Sequence, residues 1–184
     1  MTAKNYFDGG VAVITGSGSG LGASMAGRFA EKNMTIFALD IDGEQAENTA
    51  RAIREKNGNA FAMAIDVADR TALQAAAKRV DETVGYCSVL CANVGVQQFG
   101  AIDALTDNDW RWVLDVNVMG VIYTIDAFLP LLRKAPGPRH ILITSSSAAY
   151  SPGIRMGAYT TSKYAVMGYG ETLRLELADE NIGV

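Results

Sequence analysis

The chain has 184 residues, enough for one well-buried domain and too few to argue for two. Hydrophobic residues make up 49% and charged residues 20%, a balance that excludes wholesale disorder. Sixteen Lys and Arg against twenty Asp and Glu leave a net charge of −4 and no basic run, so nucleic-acid binding through a broad basic face is not expected.

Met1 to Gly10 is polar and lacks the apolar core of a signal peptide. Val11 to Thr15 is a compact apolar run that ends at a glycine cluster, and Ala23 to Lys32 then has a helical pattern. Met34 to Leu39 reads as the next buried strand and stops at Asp40. Glu44 to Lys56 reads as helix and ends before Gly58. Ala60 to Ile65 is a third strand closed by Asp66. Asp69 can cap a following helix that turns Leu73, Ala76, Ala77 and Val80 inward. Ser88 to Ala92 is a fourth strand, in which Cys91 is a small buried residue; its i,i+4 spacing from Cys87 suits neither zinc nor a redox pair. Thr106 with Asp109 forms a near capping box for a helix to Leu114, continued from Asp115 to Arg133 with a bend expected at Pro130. Pro136-Gly137-Pro138 is a turn. Strand His140 to Thr144 and a long helix, Tyr159 to Ala178, follow, and Asn181 to Val184 has the pattern of an approach to a sixth strand.

Apolar strands alternating with helices predict an α/β fold, a doubly wound parallel sheet of Rossmann type within a single domain, residues 1–184. No apolar run approaches the roughly 18–20 residues needed to span a bilayer. The lone His140 opens an apolar run and reads as structural, and no metal site is expected. A soluble, cytoplasmic protein is the expectation.

Three features carry chemistry. The first strand runs into Thr15-Gly16-Ser17-Gly18-Ser19-Gly20-Leu21-Gly22, with a helix after it. Glycines allow close approach to a phosphate, and a helix N-terminus offers free N–H groups to a pyrophosphate. The strict G-x-G-x-x-G spacing is not met, because Leu21 stands where its third Gly belongs, and a flexible glycine turn is the plainer reading. Asp40 follows the second strand, where a carboxylate accepts hydrogen bonds from adenosine ribose hydroxyls and repels a 2′-phosphate, which favours NAD over NADP. Asp66 after the third strand can face an adenine or open a helix. Up to this point an S-adenosylmethionine site fits equally well. The third feature is Tyr159-Thr160-Thr161-Ser162-Lys163: at helical i,i+4 spacing the ammonium lowers the phenol pKa from about 10 toward the range of general acid–base work. Alone, such a pair is commonly a packed ring beside a solvated lysine.

Thr15-Gly16-x-x-x-Gly20-x-Gly22, Asp66-Val67, Asn93-Val94-Gly95, Asn117, Ser146 and Tyr159-x-x-x-Lys163 resemble, in order and spacing, the motifs of the short-chain dehydrogenase/reductases. The resemblance runs from Gly10 onward. It implies a nucleotide site at Gly16, Ser19, Gly20, Leu21, Gly22, Asp40, Ile41, Asp66, Val67 and Asn93, completed by Tyr159 and Lys163. It implies that Tyr159 is the acid/base, that Lys163 lowers its pKa and binds the nicotinamide ribose, and that Ser146 hydrogen-bonds the substrate oxygen. Asn117 would hold a water in a proton relay to Lys163, where a mid-helix amide bonded to backbone is the alternative. The function so implied is an NAD-dependent oxidoreductase that interconverts a secondary alcohol and a ketone. A dinucleotide-binding regulatory or scaffold protein without turnover is the rival. Two departures stand out. Ala92-Asn93-Val94-Gly95 replaces the family's Asn-Asn-Ala-Gly turn, and the family's later strands and substrate loop are missing from the given chain. By family position Val96, Gln97, Phe99, Tyr150 and Met156 line a mostly apolar substrate pocket. The helices Thr106 to Arg133 and Tyr159 to Ala178 resemble those through which the family forms homodimers and homotetramers.

Overall fold

The structure, a computed structural model, describes residues 7–184; the first six residues of the polar N-terminal stretch lie outside them. Six strands, β1 (Val11–Thr15), β2 (Thr35–Asp40), β3 (Ala60–Ala64), β4 (Val89–Ala92), β5 (Arg139–Ile143) and β6 (Ile182–Gly183), form one sheet in the order β3-β2-β1-β4-β5-β6. Every pairing is parallel. All five residues of β1 and all four of β4 are buried, as apolar strands covered on both faces must be. The strand order reverses between β1 and β4, so a crevice opens beyond their carboxyl ends, the place where open α/β sheets bind ligands.

Helices α1 (Gly20–Ala30) and α2 (Gly43–Arg54) cover one face, with Ala26, Ala50 and Ile53 packed on Ala12, Ile14 and Ile36. On the other face α3 (Arg70–Val84), α5 (Gly120–Lys134) and α6 (Gly157–Glu176) bury Leu73, Val80, Ile125, Phe128 and Val166 against Val13, Phe37 and Leu90. Asp69 caps α3 through the N–H groups of Thr71 and Ala72, at 2.8 and 3.1 Å, and Leu73, Ala76, Ala77 and Val80 are its buried face, as the spacing predicts. Thr106 and Asp109 close a full capping box at the start of α4 (Asp107–Leu114). Cys87 and Cys91 are free and buried, and burial pushes the Cys91 thiol up to about 12.

Three expectations need correction. Helix α1 starts at Gly20, not Ala23, because the glycine loop supplies its first turn. The long helix is not continuously α: residues Asp115–Met119 form a π-helical turn, in which Gly120 N–H reaches back to the Asp115 carbonyl, before α5 resumes and runs through Pro130 to Lys134. Although no uninterrupted apolar run is long enough, Asp107–Lys134 taken as one helix of 28 residues does pass a length-and-composition criterion for crossing a membrane, with mean hydropathy 1.5 in its best window. In the structure Val113, Val121, Ile125, Phe128, Leu131 and Leu132 turn into the protein, and 39% of that window is buried. The sixth strand is present, though reduced to Ile182 and Gly183 beside Arg139 and His140.

Candidate active site

A cavity of about 680 Å³ lies at the crevice between β1 and β4. Gly16, Ser19, Gly20, Leu21, Asp40, Ile41, Asp66, Val67 and Asn93 line it, which is nine of the residues expected to hold a nucleotide. Gly22 does not line the cavity but makes it possible: a Cβ there would fall 2.0 Å from the Gly16 carbonyl oxygen. Gly16 itself has φ +66, the left-handed region that turns the chain from strand to loop. The offset glycine spacing follows, since Leu21 faces the cleft, more than half exposed, while Gly22 packs against Gly16.

Helix α1 presents its N-terminus to this cavity. Side-chain oxygens cap α2, α3 and α4 at Asp42, Asp69 and Thr106, whereas Ser19 makes no such bond at α1 and no acidic residue sits in its first turn. The opening N–H groups and the positive end of the helix dipole therefore remain free for an anion. Asp40 is fixed beside them: its carboxylate accepts the Gly18 N–H at 2.8 Å and the Asp42 N–H at 3.0 Å. Each oxygen keeps a further lone pair for a ribose hydroxyl. Asn93 ties the floor together. Its N–H meets Thr15 Oγ1 at 3.0 Å, its side-chain amide donates to the carbonyls of Thr15 and Gly16, and its Oδ1 accepts the Thr144 hydroxyl at 2.9 Å. The ends of β1, β4 and β5 are thus locked by one residue, and the floor survives the loss of the neighbouring Asn at position 92.

None of the four expected catalytic residues lines the cavity: Asn117 and Lys163 are buried, and Ser146 and Tyr159 are half-buried. Lys163 is 3% exposed, and its ammonium donates to the Thr144 carbonyl at 2.9 Å and lies 5.6 Å from the Tyr159 ring centroid. Thr144 and Gly95, which line the cavity, are its near neighbours, for a Cβ on Gly95 would meet Nζ at 3.3 Å. Among the described residues no carboxylate pairs with this ammonium, and burial pulls its pKa below the usual lysine value. A lysine buried without a counter-ion is rare outside functional sites.

The serine run divides by environment. Ser145 donates to the Lys163 carbonyl at 3.3 Å, which fastens the end of β5 to α6. Ser146 accepts the Ala148 N–H at 3.2 Å at the head of a 3-10 turn, Ser147–Ala149, and its own O–H has no protein acceptor among the described residues. Ser147 is exposed. Spacing singles out Ser146, and the hydrogen bonding leaves it the serine with a proton to give. Asn117 lies in the π-helical turn, fully buried. Its amide clamps Val96, accepting that residue's N–H at 2.7 Å and donating to its C=O at 2.9 Å, and donates again to Ser162 Oγ at 2.9 Å.

Val96, placed by position with the substrate pocket, lines the same cavity, where Asn117 holds its backbone. Phe99 and Tyr150 are exposed on two loops joined by a short bridge from Gly100 to Met156. Sequence reasoning missed Trp112, Asp115 and Val116 as cavity residues, and Ser162 as a partner of Asn117. Trp112 lies on the last turn of α4, Asp115 and Val116 open the π-helical turn and Ser162 is on α6, and no local pattern marks any of them.

A family model described as short chain dehydrogenase matches residues 10–184. Among curated proteins, the chain is 34% identical over 181 residues to the "Probable oxidoreductase EphD" of Mycobacterium tuberculosis, covering 98% of this chain and 31% of that protein. It is 34% identical to mouse (Mus musculus) "Estradiol 17-beta-dehydrogenase 11", covering 95% of this chain and 58% of the relative. The chain thus spans about a third to three fifths of the length of these two relatives. Among solved structures, a short chain dehydrogenase/reductase from Burkholderia phymatum in complex with NAD superposes with a TM-score of 0.93 at 34% identity, over 97% of this chain and 64% of that one. A metagenomic short-chain oxidoreductase in complex with NADP superposes at 0.90 and 29% identity, over 97% of this chain and 80% of that one.

Proposed function

The chain belongs to the short-chain dehydrogenase/reductase family, and on that premise we propose that it forms the nucleotide-binding and catalytic part of an NAD-dependent oxidoreductase that interconverts a secondary alcohol and a ketone. The observation that carries the reading is the buried Lys163 ammonium, which among the described residues pairs with no carboxylate and lies against the Tyr159 ring. A cation so placed favours the phenolate, which lets Tyr159 take a proton from a carbinol or return it to a ketone oxygen. Ser146, with its free O–H, hydrogen-bonds the same oxygen and steadies the negative charge that develops there during reduction. Asn117 clamps Val96 and Ser162 with its side chain, which leaves no amide hydrogen for a relay water, so any part it plays in a relay toward Lys163 runs through its main chain.

The residues present fit a dinucleotide. The uncapped turn of α1 suits its pyrophosphate and Asp40 its ribose hydroxyls. When bound, the nicotinamide supplies or accepts the hydride. Asp40, Asp66 and Asp115 all line the cavity and, among the described residues, no Lys or Arg does, which supports NAD over NADP because a 2′-phosphate beside Asp40 would meet like charge. The reading extends to a small-molecule alcohol or ketone as the substrate and to a cytoplasmic setting. It also includes a homodimer or homotetramer built through the long helices, where Tyr164 and Leu175 on α6 are exposed.

The test is Tyr159→Phe in the full-length protein, with NADH formation followed over a panel of alcohols. Turnover should fall by roughly a thousandfold or more while NADH still binds. Undiminished NADH formation by Tyr159→Phe would overturn the catalytic assignment and favour binding without turnover.

A further inference from the structure

Ser162 occupies the point where the tyrosine-bearing helix, the π-helical turn and the cavity floor are joined by hydrogen bonds. It is fully buried. Its O–H donates to the Tyr159 carbonyl at 2.6 Å, the back-bond to an earlier turn that serine makes inside helices. The same oxygen accepts an N–H from Asn117 at 2.9 Å. The other N–H of that amide goes to the Val96 carbonyl, and its Oδ1 takes the Val96 N–H. A continuous path therefore runs from a backbone segment lining the cavity to the carbonyl of the tyrosine itself, and no donor of either side chain along it is left unpaired. Complete buried networks of this kind fix one arrangement of the elements they join.

An alanine would fill the space of this small side chain almost as well. What the hydroxyl adds is an acceptor for Asn117 and a donor for Tyr159. We propose that Ser162 is a positioning residue for hydride transfer: through Asn117 and the Tyr159 carbonyl it seats the first turn of α6 against Val96 and so fixes the approach of the Lys163 ammonium to the Tyr159 phenol. The proposal rests on the reading of Tyr159 as acid/base. The ammonium favours phenolate only while it stays close. A looser turn lets the ammonium and the ring drift apart and weakens that coupling.

The test uses the full-length protein carrying Ser162→Ala, Asn117→Ala or both. The readouts are kcat against pH for an alcohol the wild type oxidises, NADH affinity by fluorescence titration, and the melting temperature. Ser162→Ala should lower kcat by about tenfold, as small misplacements of reacting groups do, and shift the acidic limb of its pH profile upward. NADH affinity should stay within about twofold, since no cavity-lining side chain is altered. Because Ser162 acts through Asn117, the double variant should be no slower than Asn117→Ala alone. An unchanged kcat and pH profile in Ser162→Ala, or losses that multiply in the double variant, would overturn the proposal. Should the alanine variant not fold, Ser162→Cys keeps the volume with a weak donor; it should show the same alkaline shift, and a wild-type profile would sink the idea. Tyr159→Phe separates the layers. If it is active, the underlying reading fails; if it is inactive while Ser162→Ala is unaltered, only the positioning role fails.

Discussion

Two alanine substitutions in the same helix should change stability in opposite directions. At Gly22 a Cβ would stand 2.0 Å from the Gly16 carbonyl oxygen and 2.7 Å from its carbon, both main-chain atoms held by the strand-to-loop turn. The third neighbour, the Asn93 amide at 2.9 Å, is a side-chain end, but the two closest atoms are backbone, so either α1 or the loop must shift. Overpacking of this kind costs about 3 kcal/mol, which in a protein of this size lowers the melting temperature by roughly 6–12 °C. At Gly27, five residues along α1, a Cβ would meet nothing within 4 Å. There the substitution removes only the helix penalty of glycine, about 1 kcal/mol, and the melting temperature should rise by about 2–4 °C. Scanning calorimetry of the two variants, with NADH titrated against each, reads both signs. Gly22→Ala should also weaken NADH binding, because the displaced atoms are those that shape the loop around the cavity, whereas Gly27→Ala should not. A Gly22→Ala protein that melts with the wild type and binds NADH normally would refute the close-packing argument for the glycine spacing.

Asp40→Ala should relax discrimination against NADP by about 2 kcal/mol, roughly thirtyfold in the ratio of kcat/KM values, through the loss of one charge repulsion at close range; an unaltered ratio would remove Asp40 from the cofactor argument. Lys163 gives a pH signature. Burial holds its folded pKa below the ordinary lysine value of 10.5, so the unfolded chain holds more protons between the two values and stability rises with pH across that window. The advantage of Lys163→Met over the wild type in urea unfolding should be greatest below the folded pKa and should shrink as pH climbs toward 10.5. An advantage that is flat with pH would show that the ammonium bears no burial penalty.

What the sequence made legible were the features that leave a local mark. The buried runs of β1 and β4, the Asp69 and Thr106 caps and the inward face of α3 all follow from pattern and capping chemistry. The strand limits of β2 and β5 are each shifted by one residue from the runs Met34 to Leu39 and His140 to Thr144, because Asp40 pairs with Ala64 and Arg139 with Ile182 while Met34 and Thr144 fall outside the strands. The π-helical turn at Asp115–Met119 was invisible, since one residue gained in a helix leaves the apolar spacing on either side nearly intact. For the same reason Trp112 and Asp115 could not be assigned to the cavity. Ser162 hid inside a motif whose named positions are Tyr159 and Lys163, because its partner, Asn117, is 45 residues away.

The uncapped start of α1 also bears on how the protein responds to its solution. A helix whose first turn has no side-chain oxygen to satisfy it draws on any anion that docks there, at about 0.3–1 kcal/mol per charge. Inorganic phosphate and sulfate are such anions, so buffers containing them act at once as stabilisers of the fold and as competitors for the same amides. In this protein, thermal robustness and apparent coenzyme affinity are therefore opposing readings of one dial, turned by the choice of salt.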